Sequence, residues 1–335
     1  MPMTIKEIAK LAGVSQATVS KIINNYDDVG AKTKERVLAI MEEHGYRPSY
    51  AAQTLARKET KLIGVIYAGK INVDFNHPFF VDVVDMFKKT IGGEGYDLLF
   101  FSNEKFHTKN ENYLARCQHY KVDGCIIIGG EEVEPSVHDL DKSSIPCIGV
   151  DIDLQGDNSA YITTDNRTIA SLAVEHFYLL GKTEIGMIGG LSKNLVSYNR
   201  LQGFREAMHT YRLPVNEEWI KYGDFFEESG YRSMKEWLTS GDYPTSIFAA
   251  SDLMAFGVIR AIREHGLSTD DFAIIGVDDI MAARYSMPAL TTVKQDKEKI
   301  GKMAAYLLRD MIQGKLDKTK VIVEPELIIR DSAKA

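Results

Sequence analysis

The sequence predicts a small all-α head joined to an α/β body made of two parallel-sheet lobes. Three observations carry that reading. Short amphipathic segments punctuated by Gly fill residues 1–48, and strand-like β-branched runs alternate with amphipathic helices from Leu62 onward. Those runs are too many for one sheet of this kind, so two similar lobes are expected, with ligand chemistry at the C-terminal ends of their strands.

The head opens with Thr4 and, three residues on, Glu7, a capping box for a helix whose apolar face is Ile5, Ile8, Ala9 and Ala12. Gly13 stops it. Ser15 caps a second helix with Val19, Ile22 and Ile23 turned toward the first, and a third runs from about Lys32 to His44 before Gly45. Helix, Gly-containing turn, helix is the helix-turn-helix pattern. Beyond Pro48, residues 49–58 have helix-forming composition but little apolar surface, so that stretch is not stable alone.

In the body, strands are expected at 62–68, 97–102, 124–130, 147–152, 184–190, 246–251, 273–279 and 327–330, and helices at 80–93, 166–181 and 253–266. Gly186, Gly189 and Gly190 read as a strand-to-helix turn, their spacing being wrong for a nucleotide loop.

Composition narrows the function. The 335 residues are 44% hydrophobic and 26% charged, as in ordinary soluble proteins of two or three domains. No apolar run nears the ~18 residues of a membrane span, and the first residues lack a signal-peptide core, so a cytoplasmic protein with no membrane partner is expected. Cys117, Cys125 and Cys147 are odd in number and widely spaced, against a disulfide framework or a zinc site. Net charge is −7, yet residues 1–60 carry 9 Lys/Arg against 7 Asp/Glu (+2) and the remainder 31 against 40 (−9). A mildly basic head thus precedes an acidic body.

No motif of hydrolases, zinc proteases or nucleotide-binding loops occurs. His77, beside Pro78, and His176, inside a helix, read as hydrogen-bonded structural residues. Asp278 and Asp279 form a possible acid/base pair with no nucleophile or metal cluster beside them. The body therefore reads as a binder of something small and polar, without cofactor or metal, and not as an enzyme.

The segment 4-TIKEIAKLAGVSQATVSKIINN-25 resembles the DNA-binding head of the LacI/GalR (lactose/galactose repressor) family of bacterial transcription regulators. The likeness continues through 31-AKTKERVLAIMEEHGYRP-48, 49-SYAAQTLARKET-60, 63-IGVI-66, 198-YNRLQGFREAM-208, 248-FAASDLMAFGVIRAI-262, 274-IIGVDDI-280 and 290-LTTVKQD-296, and so covers essentially the whole chain. The resemblance implies a DNA-binding head at 1–48, a hinge helix and linker at 49–60, and an effector-binding and dimerisation core at 61–335. That core would be a periplasmic-binding-protein-like pair of lobes, at about 61–162 plus 292–318 and about 163–291 plus 319–333.

Residue by residue, the family likeness makes the helix after Ser15 the recognition helix in the major groove. Gln16 and Ala17 would meet base edges, Gln16 as an adenine reader and Ala17 against a thymine methyl. Lys21, where many members have Arg, would contact a guanine or a phosphate. Thr4, Ser15, Thr18, Ser20 and Asn24 suit phosphate contacts or caps. In the hinge, Tyr50 and Ala52 would take part in DNA binding, with Ala52 letting paired helices approach, and Leu55 would wedge into a minor-groove step. Ser49 replaces a common Asn.

In the core, Arg200 and Asp278 would hydrogen-bond the effector and Phe225 would stack on it. Phe79 and Asp151 would line the cleft, and Asp252 would contact the ligand or cap the helix that follows. Ser251 replaces an Asn of some sugar binders and Ile162 an aromatic residue. The expected protein is a repressor acting on pseudo-palindromic operator DNA as a homodimer, controlled by a sugar or sugar phosphate. The chain reaches Ala335 without a heptad, so a tetramerising tail is not expected. The alternative is a sugar-binding transport protein without DNA function.

Overall fold

The computed structural model describes residues 3–24, 26, 28–46, 59–69, 76–102, 112–130 and 133–334. Tyr50, Ala52 and Leu55 of the expected hinge helix lie outside those residues. The chain divides into two compact units, Met1–Lys61 and Leu62–Ala335.

In the first unit, α1 (Ile5–Ala12), α2 (Gln16–Ile23) and α3 (Ala31–Glu43) form a three-helix cluster. The capping box is present: the Thr4 amide donates to the Glu7 carboxylate at 2.7 Å, and the Glu7 amide to the Thr4 hydroxyl at 3.4 Å. Gly13 takes φ +62°, which an L side chain resists, and ends α1. Ile8, Ala9 and Ala12 pack on Val19, Ile22 and Val37, the small core that fixes the angle between α1 and α2.

The second unit contains two six-stranded sheets. The first has strand order β11-β5-β4-β3-β1-β2 and is wholly parallel. Its strands are β1 (Leu62–Tyr67), β2 (Asp97–Phe100), β3 (Gly124–Ile128), β4 (Cys147–Val150), β5 (Ser159–Thr164) and β11 (Thr319–Val323). Helices α4 (Pro78–Gly93) and α12 (Lys297–Ile312) bury Val83, Phe87, Ile300 and Leu308 on one face. Helices α5 (Tyr113–Tyr120) and α6 (Pro135–Asp141) bury Tyr113, Cys117, Val137 and Leu140 on the other.

The second sheet has order β12-β10-β9-β8-β6-β7 and is parallel except for its last edge. It comprises β6 (Ile185–Gly189), β7 (Ile220–Tyr222), β8 (Ser246–Ala249), β9 (Ala273–Val277), β10 (Thr291–Lys294) and β12 (Glu326–Ile328). Helices α7 (Asn166–Leu179) and α8 (Leu195–Thr210) cover one face, α9 (Glu227–Ser240) and α10 (Asp252–Glu264) the other. A short α11 (Met281–Tyr285) follows β9.

The chain passes between the sheets three times: after β5, after β10 and between β11 and β12. Two lobe boundaries differ from expectation. Residues 319–323 were assigned to the second lobe but pair with β5 in the first, Val321 opposite Ile162. Residues 292–294 were assigned to the first lobe but pair with β9 in the second. The physical reason is α12, which lies on the first sheet and delivers the chain to that sheet's edge. Hydrophobic periodicity does not record which edge receives a strand.

β5, β7, β10 and β11 were not anticipated. β5 (SAYITT) and β10 (TTVK) are rich in Ser and Thr, yet nearly every residue in them is buried. Most of their hydroxyls are bonded inside the fold: Ser159 Oγ donates to Asp141, and Thr291 Oγ1 to the Arg330 carbonyl at 3.0 Å, while Thr164 Oγ1 is buried without a hydrogen-bond partner. Polar letters hid interior strands.

Helices α9 and α10 touch backbone to backbone. A Cβ at Gly230 would lie 2.1 Å from the Met254 carbonyl oxygen, and one at Gly257 2.0 Å from that of Glu227. Gly257→Ala should therefore force the helices apart and cost about 1–3 kcal/mol in urea unfolding. An unchanged midpoint and slope would show that the pair can separate freely.

Candidate functional site

In the head, the polar residues of α2 divide into two groups. Ser15 is the N-cap, accepting from the Thr18 amide at 3.0 Å, and its hydroxyl lies 2.9 Å from that of Thr18. Asn24 Nδ2 donates to the Ser20 carbonyl at 2.8 Å. Thr4, Ser15, Thr18, Ser20 and Asn24 thus all serve helix ends or turns. Gln16 and Ala17 stand exposed at the start of α2, and Lys21 is exposed in its last turn, where it pairs with Asp28. The face α2 turns to solvent is therefore Gln16, Ala17 and Lys21, while Val19 and Ile22 face the core.

In the body, a partly enclosed cavity lies between the C-terminal ends of the two sets of strands. Asp151 follows β4, Phe225 follows β7, Asp278 follows β9, and Phe79 comes from the first turn of α4. With Arg200 of α8, five of the six expected effector residues line one space.

Arg200 and the two carboxylates in it are each held by hydrogen bonds from the fold. Arg200 Nε donates to Asn166 Oδ1 at 2.8 Å and Nη1 to the Ala250 carbonyl at 2.5 Å. Asp278 accepts from Gln295 Nε2, and Asp151 from Thr163 Oγ1, both at 2.6 Å. Thr163 in turn accepts from Asn166 Nδ2 at 3.2 Å. Burial raises the pKa of both Asp151 and Asp278 and lowers that of Arg200; the attraction between guanidinium and carboxylates offsets part of each shift. Among the described residues Arg200 makes no ion pair within 4.0 Å, so the charges face the cavity without neutralising one another directly.

Phe225 is fixed with unusual care. Its backbone sits at φ +70°, and its carbonyl accepts from Ser251 Oγ at 2.8 Å. A Cβ on Gly190 would lie 2.1 Å from its ring. Gly190, read from sequence as a turn residue, leaves the space that the aromatic platform occupies. Asp151 (φ +56°) and Asp278 (φ +113°) are also left-handed. Such positions cost on the order of 1–3 kcal/mol each and persist where the surroundings over-determine them.

Three expectations are corrected. Asp252 does not line the cavity: it is fully buried, accepting from Thr292 Oγ1 at 2.5 Å and from the Ile280 amide at 2.8 Å. It ties the loop after β9 to β10, and Ser251, not Asp252, caps α10. Asp279 belongs to Arg330, at 2.5 Å, and so forms no working pair with Asp278. His77, in turn, is not a hydrogen-bonded structural residue. It is 7% exposed and lines the cavity, and neither ring nitrogen has a hydrogen-bond partner of ordinary geometry, although the Phe225 backbone is close enough to favour the charged ring. Its ring stands edge to face with Phe226 across the cleft, centroids 5.5 Å apart. His176 does meet its expectation, bonded to the Ala333 carbonyl at 2.7 Å.

Sequence reasoning also missed Phe80, Asn194 and Gln295. Gln295 is 2% exposed with Oε1 unpartnered, an acceptor turned to the cavity wall. The only signal was its place in the 290-LTTVKQD-296 likeness.

Burial holds the His77 pKa below the ordinary histidine value; Asp278 opposes this and Arg200 and Lys297 reinforce it. Below about pH 6.5 the unfolded chain then takes up a proton that the folded chain refuses. Stability from this group is complete above that pH and is lost as pH falls through the lowered folded value. His77→Gln should flatten that limb of a melting-temperature profile; an unaltered profile would mean that the ring titrates normally.

The comparisons with known proteins agree with this geometry. Residues 4–49 match the model of bacterial regulatory proteins of the lacI family, and residues 174–333 that of a periplasmic binding protein-like domain. The HTH-type transcriptional repressor PurR of Actinobacillus pleuropneumoniae serotype 3 (strain JL03) is 35% identical over 99% of this chain and 98% of its own. PurR of Serratia proteamaculans (strain 568) is 36% identical over 98% and 96%. Among solved structures, the lac repressor dimer bound to operator and the anti-inducer ONPF has a TM-score of 0.86 at 27% identity, covering 100% of both chains. A complex of the transcriptional regulator CelR with cellobiose gives 0.73 at 27% identity, covering 98% and 99%. With relatives this similar along its full length, the chain belongs to the lacI family of bacterial regulatory proteins, which are DNA-binding transcriptional repressors and not enzymes.

Proposed function

We propose that the chain represses transcription in the cytoplasm by binding a pseudo-palindromic operator as a homodimer, and that a neutral sugar bound between the lobes sets its affinity for DNA. The observation that carries the effector reading is the cavity's polar set. Asp151, Asp278 and Gln295 Oε1 are acceptors, Arg200 is a donor, and Phe225 supplies an aromatic face. A polyol offers many hydroxyl donors and an apolar ring face, which suits that set. A sugar phosphate suits it less, because two buried carboxylates would confront the phosphate with one guanidinium between them. A flat heterocycle such as a purine is the second reading, favoured by relatives named PurR.

The repressor reading rests on α2, which exposes Gln16, Ala17 and Lys21 on a helix locked by its caps. The match of residues 4–49 also weighs against a sugar binder without DNA function. For the effector to control DNA binding it must bind the DNA-competent and incompetent forms unequally, and DNA must then alter effector affinity by the same factor.

A thermal-shift screen with cellobiose, glucose, glucose 6-phosphate and hypoxanthine tests the effector. A neutral sugar should raise the melting temperature, and Asp278→Asn or Arg200→Ala should weaken its binding roughly 10–100-fold by removing a charged hydrogen bond. A shift with hypoxanthine alone would transfer the assignment to the second reading. Leu55→Ala should weaken DNA retardation and leave the effector shift intact. Retardation that survives deletion of residues 1–60 would sink the repressor reading.

A further inference from the structure

The DNA-facing helix carries its own competitor for DNA. Lys21 is the cation on the exposed face of α2, one helical turn from Ala17 on the same side. Its ammonium is engaged by the carboxylate of Asp28, which lies in the turn between α2 and α3, and both side chains are about half exposed (50% and 54%). A carboxylate and a phosphate oxygen ask the same thing of an ammonium: one negative charge and an acceptor. While Asp28 holds it, the charge that Lys21 offers a DNA anion is largely cancelled, and Asp28 left alone beside a duplex is repelled by it. Ammonium groups are compact and have no fixed fork, so the exchange from carboxylate to phosphate needs only a rotation of the side chain.

We propose that Asp28 is a specificity-determining residue of the head, an internal anion that neutralises Lys21 until a DNA site replaces it. The pair adds no net charge to the reading face, so it contributes nothing to loose attraction by an arbitrary duplex. Lys21 becomes a contact only where the neighbouring groups, Gln16 and Ala17, already hold the helix in place. With only +2 over residues 1–60, one masked lysine per head is a large share of the electrostatic pull. This inference rests on α2 being the DNA-facing helix.

The test is a double-mutant cycle in the full chain. Asp28→Asn, Lys21→Met and the double variant are titrated onto a random-sequence duplex at several salt concentrations, and the melting temperature of each is checked against the parent. Asp28→Asn should bind roughly two- to fivefold tighter per head. Its plot of log K against log salt should steepen by about 0.9 per head, the counterion released by one unmasked lysine. In the Lys21→Met background the same substitution should do clearly less, and Asp28→Glu, which keeps the pair, should stay near the parent. No gain from Asp28→Asn, or an equal gain in both backgrounds, overturns the proposal. If a duplex selected for tight, specific binding by the parent is bound equally well by Lys21→Met, the assignment of α2 as the DNA-facing helix fails, a result distinct from failure of the Asp28 effect on random-sequence DNA.

Discussion

One amide holds the two walls of the cleft to a common point. Asn166 opens α7 at the first passage between the lobes; its Oδ1 receives Arg200 and its Nδ2 reaches Thr163, which bonds Asp151. The guanidinium of one lobe and a carboxylate of the other are thus positioned through a single side chain at a crossover. A buried Arg and a buried Asp would each be costly if left to find their own orientation. Bonded in series, they keep fixed directions while their free edges face the cavity. Because the series bridges the two lobes, a ligand that shifts Arg200 or Asp151 acts on both at once, a physical basis for linking ligand contact to lobe position.

The site is also expensive to maintain. Asp151, Phe225 and Asp278 sit in left-handed backbone, and burial disfavours the charge on both carboxylates and on Arg200. What sustains it is the pair of apolar layers on each sheet, with Phe87 and Leu308 in the first lobe and Trp237 and Phe204 in the second. The rigid strand ends supply positions, and the loops supply the exceptions to ordinary geometry.

Much of this was legible in the letters. Head helices, caps and the β-branched strands follow from periodicity; Arg200 and Asp278 stood in segments similar to those of a known family, and Phe79, Asp151 and Phe225 followed from the cleft that the resemblance implies. What was hidden was hidden for physical reasons. Ser- and Thr-rich strands look like loops until their hydroxyls are seen bonded inward. A histidine beside a proline does not reveal that its ring packs against Phe226, about 150 residues away in sequence. Asp252 and Asp278 are the same residue type at neighbouring strand ends; only tertiary bonds show that one braces a loop and the other faces the cavity.

The final passage between the sheets has a consequence for how the polypeptide is made. β11 completes the first sheet and β12 the second, separated by residues 324–325. During synthesis the second lobe's five parallel strands leave the ribosome before the first lobe receives α12 and its outer strand. The first lobe must therefore wait, with the apolar faces of α4 and β5 open, while an entire neighbouring domain is translated. Neither lobe is a separate genetic cassette: a cut anywhere between β5 and β11 would leave the first sheet without its edge.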